Sequence, residues 1–259
     1  MERRSFIKAV SAGAIGLSGV LRGGAAGKAR VRSTLESALP KRTLGRTGKK
    51  LSIIGLGGLV LADETQETAD ALVREAIDHG VNYFDVAPSY GNAEDRMGPS
   101  LKPFRQDVFL ACKTLKRDKE GAAAELQQSL QKLQTDHFDL YQLHALSEVS
   151  DVERALGSNG AMETFVQAKK EGKIRFIGFS AHSAEAALLA MKRYDFDTVL
   201  FPVNFVCFLK GNFGPQIIDA AQKKGMGILA LKALARQPWP GETRRKDWPK
   251  CWYQPILGP

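Results

Sequence analysis

Residues 107–144 read DVFLACKTLKRDKEGAAAELQQSLQKLQTDHFDLYQLH. The opening residues, 107–112, form a short apolar run bounded by charges, the pattern of a buried strand. Residues 120–133 place Ala124, Leu126, Leu130 and Leu133 at helical spacing, which predicts a helix with one apolar face. A second apolar run, 138–143, follows at once. Two strands joined by a helix are the repeating unit of a parallel sheet, because parallel neighbours need a long crossover.

The same unit recurs on both sides of this stretch. Upstream, KRTLGRTGKKLSIIGLGG (41–58) predicts a hairpin with turns near Gly45 and Gly48, then an apolar strand ending at Gly57 and Gly58. Residues 64–80 predict a helix with Ala69, Leu72, Val73 and Ala76 on one face and Gly80 at its end. Strand 81–86 and a helix around 92–100 lead into the quoted segment. Downstream, helices are expected at 161–171, 183–194 and 215–224, and strands at 174–179, 198–203 and 227–232. The segment 144–160 reads as a long loop. Both a doubly wound sheet and a (β/α)8 barrel fit the alternation. The glycines near Gly55 lack the G-x-G-x-x-G spacing of a dinucleotide-binding sheet, so a TIM-type (β/α)8 barrel is the expectation. Only seven strands can be counted from Ile53 onward, and after Ala233 the chain reads as irregular. The expected barrel is therefore incomplete, with about seven βα units.

Charge and composition remove several function classes. The chain of 259 residues carries a net charge of +9, but residues 1–50 hold twelve Lys and Arg against Glu2 and Glu36. Twenty-five basic and twenty-six acidic residues remain for the rest, so the folded body is near neutral and no basic stripe points to nucleic acid. The leader has a charged start, a weakly apolar middle from Ala9 to Leu21 and small residues afterwards, the order of an export signal. Its Arg3-Arg4 pair followed by Ser5, Phe6, Ile7 and Lys8 resembles a twin-arginine signal. The expected organisation is a signal over 1–29, a linker over 30–41, a barrel over 42–235 and an irregular segment over 236–259. The translocase is then a transient partner and the destination is the periplasm, or the cytoplasm if the leader is not used. The apolar middle is too short to predict a stable span. Cys112, Cys207 and Cys251 are too scattered for a disulfide framework or a metal site.

In a barrel, reactive groups gather where strands end. Asp85, Lys113, His144 and Ser180 each fall at the end of a successive expected strand, and Tyr90 lies in the loop after the first of these. A phenol is a weak acid at neutral pH, and an adjacent ammonium favours its ionised form. Lys113 beside Tyr90 would supply that charge, Asp85 would hold the lysine, and His144 would orient a substrate oxygen or share in the proton transfer. This set suits protonation of an alkoxide.

NYFDVAPSYG (82–91), the lysine closing VFLACK (108–113), the histidine closing FDLYQLH (138–144) and GKIRFIGFS (172–180) resemble the aldo-keto reductase family. RTLGRTGKKLSIIGLGG (42–58) is similar to its N-terminal hairpin and first strand, and NAEDRMGPSL (92–101) to its second helix. The resemblance covers about residues 42–235. It implies a metal-free (β/α)8 barrel that reduces an aldehyde or ketone with NADPH, with Tyr90 as general acid, Asp85 and Lys113 as its tuning pair and His144 as orienter. It also implies a nicotinamide contact from Ser180 and a place in the cofactor floor for Asn204; where relatives stack an aromatic at the end of the seventh strand, this chain would offer an apolar contact from Leu231 and a phosphate contact from Lys232. The chain departs from the family in Ala181-His182 after Ser180, in the lack of an aromatic at Leu231, and in the absence of a recognisable eighth strand. An iron-sulfur segment is excluded by the cysteine spacing. Two other readings remain: a weakened barrel acting as a binding or interaction protein, and an aldolase in which Lys113 forms a Schiff base.

Overall fold

The computed structural model describes residues 39–240, 250–251 and 253–256. The leader and most of the expected linker, with Trp248 and Trp252, lie outside the described residues. A hairpin of β1 (Lys41–Thr43) and β2 (Lys50–Ser52) comes first. The alternation follows: β3 (Leu56–Gly57), α1 (Gln66–Asp78), β4 (Tyr83–Asp85), α2 (Ala93–Leu101), β5 (Phe109–Thr114), α3 (Lys119–Lys132) and β6 (Phe138–Leu146). It continues through α4 (Val149–Leu156), α5 (Ala161–Lys170), β7 (Ile174–Ala181), α6 (Ala184–Arg193), β8 (Thr198–Pro202), α7 (Phe205–Leu209), α8 (Pro215–Lys223) and β9 (Gly227–Leu231). α1, α3 and α6 begin where a side chain satisfies one of their first amides: the Thr65, Asp118 and Ser183 side chains accept from the backbone N–H groups of Thr68, Gly121 and Ala186.

β3 to β9 form one curled parallel sheet in sequence order, an incomplete (β/α)8 barrel with seven strands among the described residues. Alternation along each strand divides the core in two. Outward-facing Phe84, Leu110, Cys112, Tyr141, Leu143, Ile177, Phe179, Val199 and Phe201 pack beneath the helices. Inward-facing Tyr83, Phe109, Ala111, Leu140, Leu200 and Leu229 fill the barrel, with Leu44 and Leu51 of the hairpin closing its floor. The hairpin is anchored where Gly45 meets the start of β9, at φ +46°, with a position for Cβ only 2.3 Å from the Gly227 nitrogen. Only a residue without Cβ fits there. Next to it the Arg46 amide donates to the Gly225 carbonyl at 2.7 Å.

Several expectations are corrected. The first barrel strand is two residues long and begins after Ile53 and Ile54, which are 51% and 57% exposed. The apolar face of α3 runs through Ala122, Leu126 and Leu130, while Ala124 faces outward, because Ala122 and not Ala124 shares the stripe of Leu126 one turn on. The expected loop 144–160 contains α4, whose short amphipathic pattern buries Val152 and Ala155. β5, β6 and β7 each run past the expected last residue, so Lys113, His144 and Ser180 stand inside strand ends.

The segment after Ala233 is not wholly irregular. β10 (Ala235–Gln237) pairs antiparallel with β11 (Gln254–Pro255) just beyond the exit of β9. The Trp239 indole N–H donates to the Cys251 carbonyl at 2.8 Å, and Lys250 Nζ donates to the Val60 carbonyl at 2.8 Å while pairing with Glu64. Val60 and Glu64 follow β3. The tail thus bonds to the exits of both edge strands at the barrel mouth. Among the described residues no strand pairs with the free edges of β3 and β9.

Candidate active site

The parity that builds the inner core also places charge at its top. Asp85 follows Tyr83 on the inward side of β4, Lys113 follows Ala111 on β5, and Gln142 follows Leu140 on β6. Lys113 is 1% exposed, and its Nζ donates to Asp85 Oδ2 at 2.6 Å and to the Val86 carbonyl at 3.2 Å. The Gln142 amide donates to the second carboxylate oxygen of Asp85 at 3.4 Å. A buried ion pair persists only when its members are mutually compensated and hydrogen-bonded, and this one is.

Tyr90 reaches back from the loop after β4. Lys113 Nζ stands 5.1 Å from the centre of its ring, and the His144 ring meets it edge-on at 5.8 Å between centroids and 86°. Ser89 Oγ lies 3.5 Å from His144 Nδ1. The four residues expected to act together are therefore one cluster. A cavity of about 140 Å³ beside His144 is lined by Pro88, Ser89, Leu115 and Glu125.

The electrostatics correct one expectation. Burial raises the Tyr90 phenol above its ordinary value, and the opposing Lys113 charge reduces that shift without reversing it. Burial pulls the Lys113 ammonium down, but the Asp85 carboxylate and Tyr90 outweigh it, so the lysine titrates above its ordinary value and stays charged. Burial, followed by the charges of Lys113, His182 and Arg117, lowers His144 to about 3. The imidazole is neutral at physiological pH.

The residues expected to hold a cofactor lie on the other side of the mouth. Ser180 is buried, and its Oγ accepts from the Ala145 amide at 2.7 Å. Asn204 accepts from the Cys207 amide at 2.9 Å, capping α7, and donates to the Lys232 carbonyl at 3.2 Å. Leu231 packs half-buried against the barrel interior, and Lys232 stands exposed at φ +53°. A cleft of about 310 Å³ here is lined by Asn204, Val206, Lys232, Arg236 and Tyr253 among others. Sequence reasoning missed Gln142, whose signal is a polar residue at inward parity two positions before His144. It also missed Arg117 and Asp151, which form an ion pair at 3.1 Å, since neither lies at a strand end.

The structure thus gathers an acid, a lysine, a tyrosine and a histidine at the strand exits of a parallel barrel, where the reactive groups of such barrels lie. Comparison with known proteins makes this specific: residues 53–249 match the model of the aldo/keto reductase family. The chain belongs to that family. It is 29% identical over 212 residues to L-galactose dehydrogenase of Arabidopsis thaliana, covering 75% of this chain and 65% of the relative. It is 31% identical over 162 residues to the aldo-keto reductase YhdN of Bacillus subtilis, covering 55% and 47%. Among solved structures, the holo form of an aldo-keto reductase from Bacillus halodurans superposes with a TM-score of 0.66 at 25% identity, over 81% of this chain and 73% of that one. An aldo-keto reductase from Klebsiella pneumoniae, solved in complex with NADPH, shares the fold with a TM-score of 0.63 at 23% identity, over 75% and 68%. The chain spans about half to about two thirds of the length of the curated relatives it matches.

Proposed function

We propose that this chain is an NADPH-dependent reductase of a small aldehyde or ketone, with Tyr90 as the general acid. The observation that carries the reading is the buried Lys113 ammonium, 2.6 Å from Asp85 and 5.1 Å from the Tyr90 ring centre. A phenol held above its ordinary value is fully protonated at neutral pH, and the lysine charge beside it stabilises the phenolate left after proton transfer. Asp85 keeps the lysine charged and in place. The neutral His144 offers an N–H to the carbonyl oxygen without a competing charge.

The cofactor, when bound, supplies the hydride. The residues at the β8 and β9 exits suit such a ligand: the cleft there carries Lys232 and Arg236 with no acid among the described residues that line it, which fits a diphosphate, and Tyr253 adds an aromatic wall. Asn204 would shape its floor, Leu231 would give an apolar contact to the nicotinamide, and Ser180 would reach the carboxamide through its hydroxyl hydrogen. NADP(H) bound in relatives of this fold supports the choice of cofactor.

The state of Lys113 weighs against Schiff-base chemistry, since a charged, doubly hydrogen-bonded ammonium is no nucleophile. On the sequence, the leader 1–29 is proposed to direct export by the twin-arginine route, which would let a folded, loaded protein cross. The test of the function is direct. NADPH is titrated while tryptophan emission is followed, and its consumption is then measured with an aldehyde in excess. Saturable binding and turnover are expected; no saturable binding would refute the reading.

A further inference from the structure

The end of β6 is not a plain strand. Its register against β7 advances by three residues, Leu143 to Leu146, while β7 advances by two, Phe179 to Ala181. One residue is therefore extra, and the bulge contains His144 and Ala145. Ala145 sits at φ +55°, a left-handed conformation that a residue with Cβ adopts only when its surroundings hold it there. From the β7 side the hold is Ser180, which accepts from the Ala145 amide at 2.7 Å.

From the other side the hold is Arg117. Its Nη2 donates to the His144 carbonyl at 2.7 Å and to the Ala145 carbonyl at 3.3 Å, and its Nη1 donates to the Leu115 carbonyl at 3.3 Å. Its Nε donates to Asp151 Oδ1 at 3.1 Å, and the other oxygen of that carboxylate accepts from the Ser147 amide at 3.1 Å. Arg117 is 8% exposed, and its guanidinium uses all three nitrogens. It thereby ties the exit of β5 to the bulge of β6 and to the first turn of α4. A lysine offers one rotating ammonium and cannot reproduce that rigid fork.

We propose that Arg117 is a positioning residue for His144, holding the β6 bulge in the backbone arrangement that turns the imidazole toward Tyr90. This deepens the reductase reading of the same site and rests on it for its consequence in turnover. The bulge re-aims one side chain at the mouth, as bulges beside active sites do. Arg117 touches no reacting atom and holds His144 through the backbone of His144 and Ala145, a hold that Arg117→Lys breaks while keeping the positive charge that also bears on the imidazole.

The test uses the full chain, with histidine nitrogens labelled, as wild type, Arg117→Lys and Asp151→Asn. NADPH affinity, reduction of 4-nitrobenzaldehyde and the imidazole resonances of His144 are measured on each. Arg117→Lys should lower kcat about tenfold or more through misplacement of the imidazole, leave the NADPH Kd within about twofold, and shift the His144 resonances. Asp151→Asn loosens the same fork and should give a smaller change in the same direction. It carries the test if Arg117→Lys does not fold. Unchanged His144 resonances in a folded variant overturn the proposal, whether or not kcat falls. If the wild type reduces nothing, the reductase reading fails on its own, and the resonances still decide whether Arg117 positions the imidazole.

Discussion

The two sides of the barrel mouth solve different problems. At the exits of β4 to β6, charge is buried against charge: Lys113 and Asp85 touch at 2.6 Å, with Gln142 and the Val86 carbonyl completing their shells. At the exits of β7 to β9, polar side chains hold backbone. Ser180 secures Ala145 at φ +55°, and Asn204 secures Lys232 at φ +53°. In both cases a polar residue at one strand exit clamps a left-handed residue at a neighbouring exit. The first side is an electrostatic device whose parts fail together. The second is a set of local clamps, each of which can fail alone.

The largest expected effect sits on the electrostatic side. Tyr90→Phe should lower carbonyl reduction by ~10²–10⁴-fold, the usual worth of a positioned acid, while NADPH affinity, read by tryptophan quenching, stays nearly constant. An equal loss of both would erase the division between the two sides. Next is Lys113→Met, which leaves the Asp85 carboxylate buried and uncompensated. Urea unfolding should show a loss of about 3–5 kcal/mol, well beyond anything on the clamp side.

The pH dependence sharpens the same contrast. His144 titrates at about 3 in the folded chain against an ordinary 6.5, so folding excludes its proton. Above pH 6.5 it contributes no slope to stability. As the pH falls from 6.5 towards 3 the unfolded chain takes the proton first, and stability declines. His144→Gln should flatten that part of the profile. For the same reason kcat/KM of the wild type should show no histidine limb between pH 5 and 8, and the Tyr90 limb should appear only above the ordinary phenol range.

The clamps should give smaller numbers. Asn204→Ala removes the cap of α7 and the tie to Lys232, a loss of about 1 kcal/mol in urea unfolding, with weaker NADPH binding and little change in kcat. Smallest is Ala145→Gly, which relieves the left-handed strain and should stabilise by up to ~1 kcal/mol. A loss of stability there would mean that the bulge is not strained.

Much of this was legible along the chain. The alternation of apolar strands and helices announced a parallel barrel, and the position of Asp85, Lys113 and His144 at the ends of successive strands announced a shared mouth. Strand lengths were less legible, because Ile53 and Ile54 are apolar yet exposed, and α4 hides in a segment that reads as a loop. Arg117 could not be singled out, since besides Asp151, 34 residues on, its partners are the carbonyls of Leu115, His144 and Ala145, and backbone acceptors leave no trace in side-chain pattern.

By itself the sequence determined the order of the strands along the chain, the place of the acid, lysine and histidine at strand ends, and the family they mark, because period and order are local properties of the chain. Only the tertiary structure decided the bulge that aims His144, the backbone tasks of Ser180 and Asn204, and the upward direction of the Tyr90 shift. Each of these depends on burial and hydrogen bonds between residues far apart in the chain. The clearest case is the phenol, where desolvation by the packed mouth outweighs the neighbouring charge that sequence alone brings to mind.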